Sequence, residues 1–82
     1  MKIKVLGPGC MNCKTLANRA LEAVQQLGIE ASVEKVENIQ SIAFYGILRT
    51  PGLVIDERVV SSGMVPKVEE IKALILKQSA KA

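Results

Sequence analysis

The segment Gly7-Pro8-Gly9 separates two stretches of sequence whose hydrophobic residues repeat with different periods. Before it, residues 2–6 begin as alternating polar and apolar residues, which is typical of a β-strand. After it, apolar residues recur at helical spacing from about Met11: Leu16, Ala17, Ala20, Leu21, Val24 and Leu27. Gly28 then stands where the capping glycine of such a helix belongs. The sequence therefore predicts a strand, a tight loop and a long helix, in that order.

The next segment predicts a second strand and a second helix. Ala31 and Val33 alternate with polar residues, which indicates a short strand exposed on one side, as at a sheet edge, although Val36 falls outside the alternation. Asn38 is a good N-cap residue for a helix that would follow it. The residues predicted to form the buried stripe of this helix are Ile39, Ile42, Ala43 and Ile47.

The last third of the chain predicts a β-hairpin and a closing helix. Two β-rich runs, 53–55 and 59–60, stand at hairpin spacing. Because two-residue turns favour glycine or asparagine at positive φ, Glu57 predicts a longer turn that includes Arg58. Pro66 can open the last helix, whose tail from Gln78 to Ala82 is expected to fray. The predicted inner face of this helix consists of Val68, Ile71, Leu74 and Ile75.

The resulting order, βαβαββα, predicts an α/β fold with a four-stranded mixed sheet and helices on both faces. The first strand-helix-strand unit should be a right-handed parallel crossover. A chain of 82 residues is near the lower size limit for independent folding, so residues 1–82 are expected to form a single domain. With 49% hydrophobic residues, the chain can bury a core.

Composition and charge restrict the partners of the chain. The net charge of +3 comes from basic residues scattered along the sequence, and aromatic residues make up only 2% of it. Neither a phosphate-binding stripe nor a base-stacking platform is indicated, so we expect no nucleic-acid partner. The sequence contains no stretch typical of a signal peptide or a transmembrane helix, which predicts a cytoplasmic protein without a membrane partner. We expect a monomer.

Cys10 and Cys13 form a C-x-x-C motif at the start of the first predicted helix. The unpaired amides and the positive end of the helix dipole favour a thiolate at Cys10, so we expect a lowered pKa there. Cys13, one turn further in, is shielded by the helix but close enough for a disulfide. The pattern predicts Cys10 as the nucleophile and Cys13 as the resolving thiol, with the redox-active disulfide Cys10-Cys13 as the only cofactor.

Other functions are compatible with two cysteines. They can be small core residues, a non-enzymatic redox sensor or metal ligands. A copper carrier of ferredoxin-like fold would place methionine at position 8, which is Pro8, and would need two strands directly after the first helix. Structural zinc requires four ligands, and this chain has two cysteines and no histidine. We therefore expect no metal site in the monomer.

The segment from Gly7 to Lys14, with Thr50-Pro51 downstream and a hairpin after it, resembles the thioredoxin and glutaredoxin superfamily, particularly its small redox-active disulfide proteins. The resemblance covers Lys2 to Leu76. It implies a thiol-disulfide oxidoreductase that acts on a protein or small disulfide and is recharged by a reductase. It also implies that Pro51 is cis and lies against the dithiol, and that the Thr50 backbone binds an extended substrate peptide.

Three features depart from that family pattern. Gly9 stands where thioredoxins have a tryptophan, and Lys4 stands where they have a buried acid that assists proton transfer from the second thiol. The sequence thus assigns no proton acceptor to Cys13, which leaves water or a different side chain. No glutathione-binding signature follows the hairpin, although Gly63 and Met64 are candidates for lining the substrate groove.

Overall fold

The computed structural model of the chain describes residues 1–9, 11–47 and 49–80, except for the side chain of Ala80. Along the described chain the elements are β1 (Lys2–Leu6), α1 (Met11–Leu27), β2 (Ser32–Val36), α2 (Ile39–Phe44), β3 (Gly52–Ile55), β4 (Arg58–Ser62) and α3 (Val68–Ala80). This order confirms the predicted βαβαββα arrangement. No helix in the described ranges is both long enough and apolar enough to cross a bilayer.

The strands form a four-stranded mixed sheet in the order β2-β1-β3-β4. Strand β1 runs parallel to β2 and antiparallel to β3, and β3 and β4 form an antiparallel hairpin. As its alternating pattern predicts, β2 is an edge strand. The two central strands are therefore β1 and β3, and the loops that follow β1 and precede β3 lie at the same end of the sheet.

Strand β1 divides its side chains between two faces of the sheet, because successive residues of a strand point to opposite sides. On the face covered by α1 and α3, the buried cluster consists of Ile3, Val5, Leu16, Ala17, Ala20, Ala23, Val24, Leu53, Ile55, Ile71 and Ile75. Leu6 lies in a smaller cluster with Ile42 of α2 and Val54 of β3. Helices thus cover both faces, as predicted, but most of the core lies under α1 and α3.

The α2 face explains why Val36 falls outside the alternation of its strand. Val36 packs against the small cluster around Leu6 and Ile42, whereas Val33 packs against the larger cluster on the other face. Strand β2 therefore places apolar side chains on both sides of the sheet. A single alternating pattern cannot describe such a strand.

The sequence predicts the start of α2 correctly but not its buried face. The Oδ1 atom of Asn38 accepts hydrogen bonds from the backbone N–H groups of Gln40 and Ser41, which confirms the N-cap. Of the predicted stripe, only Ile42 is buried, while Ile39 is 76% exposed. Ala43 is exposed, and Ile47 is half-buried beyond the end of the helix. A helix of six residues presents one buried position rather than a stripe.

The turn between β3 and β4 is shorter than the sequence predicts. Ile55 pairs with Arg58, so the turn consists only of Asp56 and Glu57, which have φ values of 48° and 68°. The prediction of a longer turn including Arg58 is wrong. Distant contacts stabilise the unfavourable backbone: Asp56 Oδ1 accepts a hydrogen bond from the Lys2 N–H at 2.9 Å, and Glu57 forms an ion pair with Lys4.

The two long helices agree with their hydrophobic patterns, with two differences. Gly28 has a φ of 63° directly after α1, as expected of a capping glycine, but Leu21 is 46% exposed rather than buried. Helix α3 begins at Val68, after the buried Pro66, and continues to Ala80. The part of the predicted frayed tail up to Ala80 is therefore helical; residues 81–82 lie outside the described residues.

Candidate functional site

Three segments that carry the predicted site residues meet at one end of the sheet. Because β1 and β2 are parallel, both end here, and antiparallel β3 begins here. Leu6 pairs with Val36 on one side and with Gly52 on the other. The Gly7 N–H then donates a hydrogen bond to the Val36 carbonyl at 2.9 Å, which keeps the chain beside β2 for one more residue. Helix α1 starts above this end of the sheet.

Cys13 lies in the first turn of α1 and is 5% exposed. Its side chain is therefore largely shielded from solvent. Cys10, the predicted nucleophile, lies outside the described residues, and its role stays a prediction.

Gly7 allows β1 to approach Cys13 closely. A Cβ atom built on Gly7 would overlap Cys13 Sγ, and it would lie 3.3 Å from Cys13 Cβ and 3.8 Å from Thr50 Cβ. Real Cβ atoms do not tolerate such an overlap, so any larger residue would displace the cysteine. Gly7 thus brings the loop after β1, the first turn of α1 and the segment before β3 together.

The Thr50–Pro51 peptide bond is cis, the isomer that the Thr-Pro motif predicts. Pro51 is buried, and its carbonyl accepts a hydrogen bond from the Gly63 N–H at 2.9 Å. Gly63 has a φ of 70°, and a Cβ there would lie 2.9 Å from Arg49 Cβ. The structure therefore places Gly63 against the Thr50–Pro51 segment, with Met64 61% exposed beside it. The predicted contact between Pro51 and the Cys10 sulfur falls outside the described residues.

A cavity of about 30 Å³ lies beside Cys13. Its lining consists of Val5, Gly7, Gly9, Cys13, Lys14, Lys35 and Glu37. The Oε2 atom of Glu37 lies 3.6 Å from the position that a Cβ on Gly9 would occupy. Sequence reasoning missed Lys35 and Glu37. The rule that the carboxyl ends of parallel strands meet at one edge could have identified Glu37, because it directly follows β2 as Gly7 follows β1.

Lys4, which occupies the position of the family's buried acid, faces away from this cavity. Its Nζ atom lies 2.7 Å from Glu57 Oε1 and 2.9 Å from the Tyr45 hydroxyl. The Tyr45 hydroxyl also donates to Glu57. Hydrogen bonds raise the pKa of Lys4, with the larger contribution from Glu57 and the smaller from Tyr45. The hydrogen bond from Lys4 in turn lowers the pKa of Glu57. Lys4 therefore joins the hairpin turn to α2 and is not the partner of Cys13.

Comparison with known proteins agrees with this architecture. Residues 1–76 match the model of a family described as the thioredoxin domain, and the chain belongs to this family. A thioredoxin from Methanothermobacter thermautotrophicus is 41% identical over 75 residues, which cover 92% of this chain and 97% of the relative. A thioredoxin from Methanocaldococcus jannaschii is 39% identical over 70 residues, which cover 85% of this chain and 80% of the relative. The chain is thus a small thioredoxin-like redox protein.

Proposed function

We propose that the chain is a thiol-disulfide oxidoreductase whose reactive group is the Cys10-x-x-Cys13 dithiol. The observation that carries this proposal is the position of Cys13, which is buried in the first turn of α1 and packed against Gly7 beside Thr50. A copper carrier is not favoured, because its fold needs two strands directly after the first helix, whereas here β2 is followed by α2.

In the proposed reaction, the thiolate of Cys10 attacks a substrate disulfide and forms a mixed disulfide, which releases one substrate thiol. The sulfur of Cys13 then attacks the Cys10 sulfur, forms the Cys10-Cys13 disulfide and releases the second substrate thiol. Two electrons pass from the protein to the substrate. In a reducing compartment such as the cytoplasm, a reductase or a small dithiol would return the protein to the reduced state.

The substrate would bind beside Thr50. Thr50 is exposed, and its Cβ lies 3.8 Å from the Cβ position at Gly7, next to Cys13. We propose that its backbone groups pair with an extended peptide in the manner of strand addition. Gly63, which is bonded to Pro51, and the exposed Met64 would border the peptide on the side of β4.

The proposal is tested by turnover of a protein disulfide such as insulin, with a small dithiol as the electron source. Cys10→Ser and Cys13→Ser should each reduce turnover to the rate of the small dithiol alone. Asn18→Ser is the matched control, since it places the same new side chain on the exposed side of the same helix and should leave turnover unchanged. Full turnover by either cysteine variant would exclude the two-thiol reaction.

A further inference from the structure

We propose that Glu37, acting through one water molecule in the cavity beside Cys13, accepts the proton that Cys13 loses as it resolves the mixed disulfide. This inference rests on the proposed function, because it concerns the second of its two thiol steps. Lys4 stands where thioredoxins have the acid that assists this proton transfer, so the sequence assigns no acceptor. The proposal assigns that role to Glu37.

The cavity has the size and lining that a bridging water needs. Its volume of about 30 Å³ exceeds the roughly 10–15 Å³ that a cavity needs to hold one water, and a water requires two or more polar partners. Cys13 and Glu37 both line it. A water between them could accept a proton from the thiol and donate one to the carboxylate.

Glu37 is the one carboxylate among the described residues that line the cavity. The other charged side chains there are Lys14 of α1 and Lys35 of β2, and an ammonium group donates hydrogen bonds but cannot accept them. Lys35 pairs with Val5, which places it on the side of the sheet that α1 covers. Glu37 is exposed, so a proton received from the cavity can pass on to solvent.

Gly9 and the strand register position the carboxylate. The Oε2 atom of Glu37 lies 3.6 Å from the Cβ position at Gly9, and Gly7 is hydrogen-bonded to Val36, the residue before Glu37. The carboxylate therefore lies against the loop that connects β1 to the dithiol. Lys4 is bonded to Glu57 and Tyr45 and therefore does not lie beside this loop.

The proton balance of the step is complete. The thiol proton of Cys13 passes to the water while the water passes a proton to Glu37. The Cys13 sulfur forms a bond to the Cys10 sulfur, and the bond from Cys10 to the substrate sulfur breaks. The substrate leaves as a thiolate and takes a proton from solvent, and Glu37 later returns its proton to solvent.

A purely electrostatic role for Glu37 would have the opposite effect on the rate. A nearby carboxylate disfavours a thiolate, so its neutralisation should raise the thiolate population of Cys13 and speed the second step. Loss of a proton acceptor should slow that step, because general-base assistance contributes about 10²-fold or more. The sign of the rate change therefore separates the two roles.

The test follows reduced protein mixed with the chromogenic disulfide dithiobis(nitrobenzoate) in a stopped-flow instrument. Attack by the first thiol releases one thionitrobenzoate, and resolution by the second releases another. In Glu37→Gln we expect the second release to be at least tenfold slower near neutral pH, while the first release is not slowed. The difference should shrink as the pH rises, because base in solution then takes the proton.

Two variants control for charge and for fold. Glu34→Gln removes the same charge three residues earlier, within β2 and on the opposite face of the sheet, where Glu34 lies near Lys4, and it should behave as wild type. Glu37→Asp keeps a carboxylate and should recover part of the second-step rate. An unchanged or faster second release in Glu37→Gln overturns the role of Glu37, whereas a wild-type protein that releases only one thionitrobenzoate overturns the proposed function itself.

Discussion

The face of the sheet beneath α1 and α3 and the face beneath α2 are stabilised by different kinds of contact. Under α1 and α3 the buried cluster is entirely apolar and draws on two long helices and two strands. Under α2 the buried cluster consists of Leu6, Ile42 and Val54, and the polar contacts of Lys4 with Tyr45 and Glu57 extend it.

The proposed chemistry lies on the same side of the sheet as the larger buried cluster. Cys13 lies on the α1 side of the sheet, where it lines a small cavity together with Val5, a residue of the larger buried cluster. The α2 side has the larger opening, a groove of about 400 Å³ bordered by Phe44 and Tyr45, with no cysteine among the described residues that line it. Cys13, the proposed resolving thiol, therefore lies on the side of the sheet that carries the larger core, which suits a reactive group that must be precisely placed.

The largest expected effect comes from removing a buried side chain on the α1 face. Leu16 is fully buried, so Leu16→Ala should lower the free energy of unfolding by about 3–5 kcal/mol through lost burial and a new cavity. Ile42→Ala on the α2 face should cost about 2 kcal/mol, the low end of the range for such substitutions, because Ile42 belongs to a cluster of only three buried residues.

Chemical denaturation of both variants measures this contrast. Ile39→Ala is the control, since Ile39 is on the same short helix as Ile42 but is 76% exposed, and it should change stability little. An equal loss in Leu16→Ala and Ile42→Ala would show that the two faces contribute alike.

The next effect concerns the contact between β1 and Cys13. Gly7→Ala adds a methyl group that overlaps Cys13 Sγ, so the thiol must shift. A displacement of about 1 Å can reduce activity about 10²-fold, and we expect a loss of this order in disulfide reduction per folded molecule. Overpacking should also lower stability by about 1–3 kcal/mol.

Gly46→Ala is the control for Gly7→Ala. No described heavy atom outside its chain neighbours would lie within 4 Å of the added Cβ, but Gly46 has a φ of 74°. Backbone strain should therefore destabilise this variant by about 1 kcal/mol without reducing activity. If Gly46→Ala loses as much activity as Gly7→Ala, the loss comes from instability rather than from the position of Cys13.

The smallest expected effect is in the polar contacts of the α2 face. Since the bond from Lys4 lowers the pKa of Glu57, the ion pair stabilises the fold above the ordinary pKa of 4.5. This contribution is lost as the pH falls through the lowered pKa of the folded state. Glu57→Gln should therefore be slightly less stable than wild type at neutral pH and equally stable in acid.

Salt gives an independent check on that ion pair. The side chain of Glu57 is 60% exposed, so the attraction should be small and should weaken further at high ionic strength. Thermal unfolding of wild type and Glu57→Gln at low and high salt measures the difference. A stability gap that does not depend on pH or salt would assign the effect of Glu57 to the turn backbone instead of its charge.

The same two faces explain which parts of the fold could be predicted from the sequence. Helix α1 has 17 residues with a regular apolar repeat, and its range and capping glycine follow from local pattern alone. The short α2 offers too few residues for a stripe, so the exposure of Ile39 was mispredicted. The two-residue turn was missed because its stabilising partners, Lys2 and Lys4, are more than 50 residues away in sequence.

The candidate site likewise has features that the sequence predicts and features that depend on the fold. Cys13, Thr50 and Pro51 belong to short motifs that have a chemical meaning without a structure. The requirement for glycine at position 7 and the place of Glu37 depend on the register between β1 and β2 and on the close approach of α1. Neither is encoded in a local pattern. The close approach at Gly7 is visible only in the fold, whereas Glu37 could be found from the sequence only through the predicted parallel pairing of β1 and β2.

The most direct test of the two-thiol account is the capture of its intermediate. Each cysteine variant, reduced and incubated with a disulfide-bonded protein, is quenched with acid and analysed by mass spectrometry for covalent adducts. We predict that Cys13→Ser accumulates a stable mixed disulfide on Cys10, because the resolving thiol is missing, and that Cys10→Ser, whose remaining thiol is 5% exposed, forms far less. Adducts that form equally in both variants, or mainly on Cys13, would contradict the assignment of nucleophile and resolving thiol.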